Sequence, residues 1–179
     1  MNTANLILLK KNERLVRLSQ ELGFSQTFFL EDIKLIKANT PAELLKELNS
    51  AGKKLTIYKP SNEKMLRFAL EKSKVKLIYG LENLHLQDSP HYVRGGLDQV
   101  ACRLAAEKDK IIAFSFSDIL NSKQRSKLLA RMALNIRLCQ KYKVQFLVVN
   151  LTEKEEEVRS QNDLEALLRV LKKPAGFKL

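Results

Sequence analysis

The chain of 179 residues is long enough for one domain with a substantial core, and we predict a single domain over residues 1–179. Its composition, 45% hydrophobic and 29% charged, is that of a soluble globular protein, and no apolar run approaches the roughly 18 residues of a membrane span. The net charge of +12 favours a polyanionic partner.

Short apolar runs alternate with amphipathic patterns along the whole chain. In chain order, the sequence predicts a strand over 5–9, a helix over 13–23, a strand over 26–31 with a small extension over 33–37, a helix over 39–52, a strand over 53–59, a helix over 61–73 and a strand over 75–82. After the longest loop, 83–95, come a helix over 96–108, a strand over 111–120, a long helix over 123–144, a strand over 144–152 and a helix over 161–171.

Six strand–helix pairs with nearly continuous apolar strands predict an α/β fold with a parallel sheet. A TIM-barrel-like arrangement, complete or incomplete, fits this pattern, and so does an open doubly wound sheet. Thr40, Pro41 and Glu43 give the second helix a capping box with proline in its first turn, which makes its start the clearest boundary in the chain.

The N-terminal segment and the cysteines predict a cytoplasmic protein. The first apolar stretch is short, ends in charges and lacks a small-residue cleavage site. Cys102 and Cys139 are isolated on helix-like segments, with neither metal-ligand spacing nor a disulfide framework.

Three carboxylates, Glu31, Glu82 and Asp118, follow predicted strands, where the functional groups of α/β proteins collect. Together they can hold a divalent metal for phosphoester hydrolysis. However, the only two histidines, His85 and His91, share one loop, and the sequence has no transition-metal motif, phosphate loop or nucleophile elbow. We therefore predict no cofactor, no metal and no catalytic residue, and keep a metal-dependent phosphoesterase as the alternative.

The run Arg94, Gly95 and Gly96 opens the helix over 96–108 and has two interpretations. Free backbone N–H groups at the helix start, together with Arg94, can bind a phosphate. The two glycines can equally serve only to turn the long loop into the helix.

A basic segment over residues 123–144 carries seven basic side chains and no acidic one, and the acid-free run extends from Ile119 to Thr152. At about 100° per residue, five cations fall within an arc of roughly 120° on the predicted helix. They are Lys123, Lys127, Arg131, Arg137 and Lys141. Like charges at i,i+4 repel each other, so an uncompensated stripe favours binding to a phosphate backbone. A solvated basic face remains an alternative, and Leu134 and Leu138 beside the arc allow a protein-binding scaffold.

The residues also carry a resemblance to a known family. The stretches "GLDQVACRLAAEKDKIIAFSFSDIL", "QRSKLLARMALNIRLCQKYKV" and "VRSQNDL" resemble the archaeal ribonuclease P protein component 3 family, the counterpart of the eukaryotic p30 subunit. The early "LGFSQTFFLEDI" is similar to that family's Leu-Gly-Phe followed by an apolar strand. The resemblance extends over residues 20–171 and is densest from 94 to 164.

This resemblance implies a TIM-barrel-like fold, distantly similar to PHP phosphoesterases, in a subunit of a ribonucleoprotein that removes 5′ leaders from precursor tRNA. It implies that the catalyst is RNA with bound magnesium and that the partners are ribonuclease P RNA, precursor tRNA, component 2 and the other protein subunits. Residues that match the family motifs are expected to contact RNA: Arg94, Lys127, Arg131, Arg137 and Arg159. Lys123 and Lys141 are added from the charge arc alone.

Two features depart from the family pattern. The start of the chain lacks the "DLH"-like opening of many members, so the first barrel unit is expected to be degenerate or differently closed. The acidic run over 153–157 stands where members carry small residues, and Glu156 or Glu157 is a candidate ion-pair partner for Arg159.

Overall fold

The structure, a computed structural model, describes residues 3–85, 87–88 and 91–172. Seven parallel strands form a nearly closed barrel surrounded by helices, which confirms the TIM-barrel-like prediction over the open doubly wound sheet. The strands are β1 (Thr3–Leu6), β2 (Thr27–Phe28), β3 (Ile33–Ile36), β4 (Leu55–Tyr58), β5 (Leu77–Tyr79), β6 (Ile111–Ser115) and β7 (Gln145–Val149). The helices are α1 (Glu13–Glu21), α2 (Pro41–Asn49), α3 (Glu63–Lys72), α4 (Gln99–Glu107), α5 (Phe116–Asn121), α6 (Arg125–Lys141) and α7 (Gln161–Lys172). Two 3₁₀ turns, Leu81–Asn83 and Glu155–Glu157, follow β5 and β7. No helix in the described ranges combines the length and apolarity needed to cross a bilayer.

The first and last strands of the chain, β1 and β7, pair with each other, and the barrel is open at one seam, between β2 and β3. The strand order is β2-β1-β7-β6-β5-β4-β3, and β1 pairs with β7 through Thr3 opposite Val148. The two edge strands, β2 and β3, are consecutive in the chain and separated only by residues 29–32. The seam is therefore bridged by the covalent chain itself.

The predicted strand over 26–31 with its extension over 33–37 is broken in two at this seam. Asp32 makes the break, because its carboxylate accepts a hydrogen bond from the Phe29 N–H at 3.0 Å while its own N–H donates to the Phe29 carbonyl at 2.9 Å. This tight turn lets β2 pair with β1 and β3 pair with β4 on the other side of the seam.

The predicted strand over 111–120 was wrong in its second half, where α5 begins at Phe116. The Ser115 hydroxyl accepts a hydrogen bond from the Asp118 N–H at 3.1 Å and so caps this short helix. An apolar run does not distinguish a buried strand from a buried helical turn, and the cap decides it here.

The strands are apolar on both faces because each face meets a different part of the core. Leu77 and Tyr79 point into the barrel interior, whereas Ile78 between them packs in the layer that separates the sheet from the helices. Ile57 and Tyr58 divide between the same two layers. This double burial produces the near-continuous hydrophobic strands of the sequence.

Candidate nucleic-acid interface

Helix α6 covers most of the basic segment and packs its apolar side against the core. Leu128, Met132, Ile136 and Cys139 recur at helical spacing and are buried. Leu138 also contacts the core, so this leucine of the predicted arc is part of the fold rather than a free apolar stripe. The helix is therefore fixed in rotation by ordinary packing, and that rotation decides which of its cations reach the surface.

Arg131, the third of the five predicted cations in sequence, is an interior residue with only 4% of its surface exposed. One guanidinium nitrogen donates to the backbone carbonyls of Glu82 and His85 at 2.6 and 2.7 Å. The other two donate to the Asp88 carboxylate at 3.0 and 2.7 Å. These bonds occupy the guanidinium, which thus clamps the segment after β5, and the RNA contact expected of Arg131 stays a prediction.

Asp88 partly neutralises the stripe from a loop 43 positions away in sequence. Besides Arg131, its carboxylate lies 3.7 Å from the Lys127 ammonium and accepts the Arg94 backbone N–H at 2.8 Å. The pKa of Asp88 is lowered, first by the Arg94 N–H and then by the bond and charge of Arg131. The expectation of an uncompensated row through Lys123, Lys127 and Arg131 was therefore wrong at its centre.

Asn135 and Glu82 extend this buried network toward the end of the barrel where the strands finish. The Asn135 amide donates to the Gly95 carbonyl at 2.6 Å and lies 3.4 Å from the Glu82 carboxyl. Glu82 is 1% exposed, and burial raises its pKa to about 7. Sequence reasoning missed Asp88 and Asn135, because neither lies in a motif and their importance comes from contacts distant in the chain.

The Arg94, Gly95, Gly96 run is a close-packing motif. Gly96 has a φ of +92°, and a Cβ there would lie 2.0 Å from the Leu81 carbonyl oxygen. Helix α4 begins only at Gln99, and its N-terminal cap is the Asp98 carboxylate, which accepts the Ala101 N–H. With a carboxylate already at the helix start, the structure favours the turn interpretation over the phosphate site.

Three members of the predicted set are exposed along α6 and the turn before it: Lys123, Arg137 and Lys141. The Arg137 guanidinium donates only to the Ala133 carbonyl of its own helix at 3.3 Å, and the Lys141 ammonium lies 5.5 Å from the centre of the Tyr142 ring. None of the three makes an ion pair with a carboxylate of the described residues. They form the remaining cation row, which we call the α6 row.

Arg94 and Arg159 lie away from this row. Arg94 is exposed, with its guanidinium carbon 6.0 Å from the centre of the Tyr92 ring. Arg159 is half-buried and donates to the backbone carbonyls of Glu156 and Val158 at 2.8 and 3.1 Å. The Glu156 partner is its carbonyl, so the ion pair considered from the sequence is absent among the described contacts.

The acidic run instead joins helix α5 to the turn after β7 through Glu157. Its carboxylate accepts hydrogen bonds from Ser117, Asn121, Thr152 and Lys154 at 2.8 to 3.2 Å. These donors, with Ser117 the largest contributor, lower the pKa of Glu157 to about 2. The carboxylate links helix α5, which follows β6, to the turn after β7.

Of the three carboxylates of the alternative metal site, Asp118 lies near enough to Glu82 to contribute to the raised pKa of that buried carboxyl. Glu31 accepts the Lys11 backbone N–H at 3.2 Å, and Glu82 is enclosed beside Asn135. Across residues 3–85, 87–88 and 91–172, no group of three histidine, cysteine, aspartate or glutamate side chains is arranged to hold a metal ion.

Comparison with known proteins places the chain in a family. No protein-family model matches it. Ribonuclease P protein component 3 of Archaeoglobus fulgidus is 30% identical over 156 residues, which cover 83% of this chain and 73% of the relative.

A chain in the cryo-EM structure of archaeal ribonuclease P with mature tRNA has a TM-score of 0.71 at 19% identity, covering 97% of this chain and 75% of that chain. A crystal structure of an uncharacterized protein has a TM-score of 0.51 at 12% identity, over 89% of this chain and 42% of that chain, and shares only the fold. The resemblance found in the sequence is confirmed, and the chain belongs to the ribonuclease P protein component 3 family.

Proposed function

We propose that this chain is an RNA-binding protein subunit of ribonuclease P that supports the RNA-catalysed removal of the 5′ leader from precursor tRNA. The single observation that carries the proposal is the 30% identity to a ribonuclease P protein component 3 over 83% of the chain. Its partners would be the ribonuclease P RNA, precursor tRNA, component 2 and the other protein subunits, in the cytoplasm. We further propose that residues 1–179 act as one domain.

The α6 row supplies the proposed contacts to RNA. Lys123, Arg137 and Lys141 are exposed and have no described carboxylate partner, so their charges are available to phosphates. Each phosphate neutralised by such a cation releases counterions and adds roughly 0.7 to 0.9 units to the salt slope of binding. Arg94, which is exposed above the Tyr92 ring, is the fourth proposed contact.

Reconstitution of the holoenzyme tests this function. Ribonuclease P RNA and the partner proteins are assayed for 5′ leader removal from precursor tRNA, with and without this chain, and the chain is also assayed without RNA. We expect the chain to raise cleavage by the complete assembly and to cleave nothing by itself. Turnover of a phosphoester by the isolated chain, or no change in cleavage when it is omitted, would refute the proposal.

A triple variant tests the α6 row itself. Lys123→Gln, Arg137→Gln and Lys141→Gln together are expected to lower the salt slope of RNA binding by about two to three units. The matched control replaces Lys46, Lys64 and Arg169, exposed cations on other helices, with the same loss of charge. Arg169 is a close match for Arg137, because its Nε also donates to the carbonyl four residues earlier. Equal losses in the two triple variants would remove α6 from the interface.

A further inference from the structure

Lysines are concentrated where four adjacent strands begin. The connections that lead into β4, β5, β6 and β7 are residues 50–54, 73–76, 108–110 and 142–144. They contain seven lysines and one carboxylate, that of Asp109. The lysines are Lys53, Lys54, Lys74, Lys76, Lys108, Lys110 and Lys143. Because these four strands are parallel neighbours in the sheet, all seven lie at one end of the barrel, the end where the strands start.

Direct contacts join two of these connections, 73–76 and 108–110. The buried Lys110 ammonium donates to the carbonyls of Ser73 and Val75 at 2.6 and 2.8 Å, and the Lys76 ammonium donates to the Asp109 carbonyl. The pKa of Lys110 is lowered by burial and then by the nearby charges of Lys76 and Lys108. The ammonium groups of Lys76 and Lys108 are therefore close enough to Lys110 to repel it.

Five exposed lysines of this group have no ion-pair partner among the described residues. Lys53, Lys54, Lys74, Lys108 and Lys143 are exposed and form no ion pair with a carboxylate in the described part of the chain. Glu31 and Asp32 line a concavity shared with Lys53, Lys54 and Lys76. Those two carboxylates already accept the backbone N–H groups of Lys11 and Phe29.

Stabilisation of helix ends is the competing explanation. In a parallel barrel the C-termini of the helices also lie at this end, and cations there interact favourably with the helix dipole. Lys143 follows α6 with a φ of +57°, a conformation that glycine adopts without strain and lysine does not. Stabilisation of the helix end therefore does not account for a lysine at this position. Nor does it require lysines to be crowded closely enough to repel one another.

We propose that the end of the barrel where β4 to β7 begin is a second RNA-binding surface, which takes the phosphate backbone of folded RNA. The inference rests on the proposed function and adds a surface at the end of the barrel opposite to the strand ends where barrel sites are usually found. Four strands spaced about 4.8 Å apart span about 14 Å, a width that several phosphates of an RNA backbone can occupy. Lys141 of the α6 row lies two residues before Lys143, so the two surfaces meet at the end of α6.

A fourfold variant with one substitution in each connection tests this surface. Lys53→Gln, Lys74→Gln, Lys108→Gln and Lys143→Gln are made together and avoid Lys76 and Lys110, which hold the connections in place. The control, Lys10→Gln, Lys11→Gln, Lys37→Gln and Lys64→Gln, removes the same charge from exposed positions after β1 and β3 and in the first turn of α3, at the other end of the barrel. Binding to ribonuclease P RNA is measured from 50 to 400 mM salt, and stability is followed by urea unfolding of each variant.

We expect the fourfold variant to bind RNA at least tenfold more weakly than the control and to lose about three units of salt slope. Affinities within twofold of each other, with normal folding, would overturn the proposal. A greater loss of binding to polyglutamate than to RNA would also overturn it, in favour of an acidic protein partner. If the wild-type chain itself fails to bind RNA, the proposed function fails; if wild type binds and the fourfold variant matches the control, only this inference fails.

Lys143→Gly keeps the test valid if the fourfold variant folds poorly. Glycine suits the positive φ, so the midpoint of urea unfolding should rise while the salt slope of RNA binding falls by nearly one unit. A helix-end role for the lysine predicts no change in RNA binding, which would contradict the proposal.

Discussion

Replacing Arg131 with glutamine separates a structural role of this side chain from the RNA contact that its sequence position suggested. The substitution removes the donors to two backbone carbonyls, those of Glu82 and His85, and leaves the Asp88 carboxylate without its main cation. Each buried polar group left without a partner costs about 1–3 kcal/mol. We expect the free energy of unfolding to fall by about 3–5 kcal/mol, a large fraction of the stability of a typical domain.

Urea unfolding followed by circular dichroism gives this quantity, with the midpoint lowered and the slope unchanged because the surface exposed on unfolding is the same. Arg137→Gln on the same helix is the matched control, and a change below about 0.5 kcal/mol is expected. Within the described part of the chain its guanidinium makes a single hydrogen bond, to the Ala133 carbonyl. The Asp88→Asn and Arg131→Gln double variant should lose less than the sum of the two single losses, because both residues serve one network.

The reasoning would be refuted by an Arg131→Gln variant as stable as wild type that binds RNA more weakly than Arg137→Gln. That result would mean that the guanidinium leaves the interior to reach RNA and that its buried bonds contribute little.

Two carboxyl groups, the half-buried Glu157 and the buried Glu82, should make stability depend on pH in opposite directions. The pKa of Glu157 is lowered from 4.5 to about 2, so its contribution is present above pH 4.5 and is lost as the pH falls toward 2; Glu157→Gln should cost up to about 3 kcal/mol at pH 7 and little at pH 2. The pKa of Glu82 is raised from 4.5 to about 7, so stability should decline as the pH rises from 4.5 to 7, and Glu82→Gln should be more stable than wild type above pH 7 by up to about 3 kcal/mol. Unfolding in urea at a series of pH values measures both, and a gap between variant and wild type that stays constant with pH would contradict the corresponding assignment.

The fold was largely predictable because its determinants are local. The capping box of Thr40 and Glu43, with Pro41 beside it, forms as the sequence predicts and starts α2. The alternation of strands and helices follows from hydrophobic period, which each segment carries by itself. The seam was not predictable, because the turn at Asp32 depends on a hydrogen bond that apolar periodicity does not encode.

The interface was predicted less well, because exposure on a helix depends on what the helix meets. The wheel places Arg131 within the basic arc at about 40° from Lys127, beside the buried side of the helix. Only the path of the segment after β5 brings the Glu82 and His85 carbonyls and Asp88 to that position. A run free of acids in sequence is thus not free of acids in space.

The position of a charge that precedes a strand is more predictable from the sequence than the position of a charge on a helix face. A helix such as α6 can rotate or be covered, and its cations then become interior groups, as Arg131 did. Register fixes the residue before a parallel strand beside the residues before the neighbouring strands, as Ile111 lies between Leu77 and Gln145. Such a residue keeps its place in the sheet even where it is buried, as Lys110 is. Lysine pairs ahead of successive strands therefore must converge whenever the sheet forms. In this family member the parallel topology itself assembles a dense cation surface, and it does so from short connections that carry no recognisable motif.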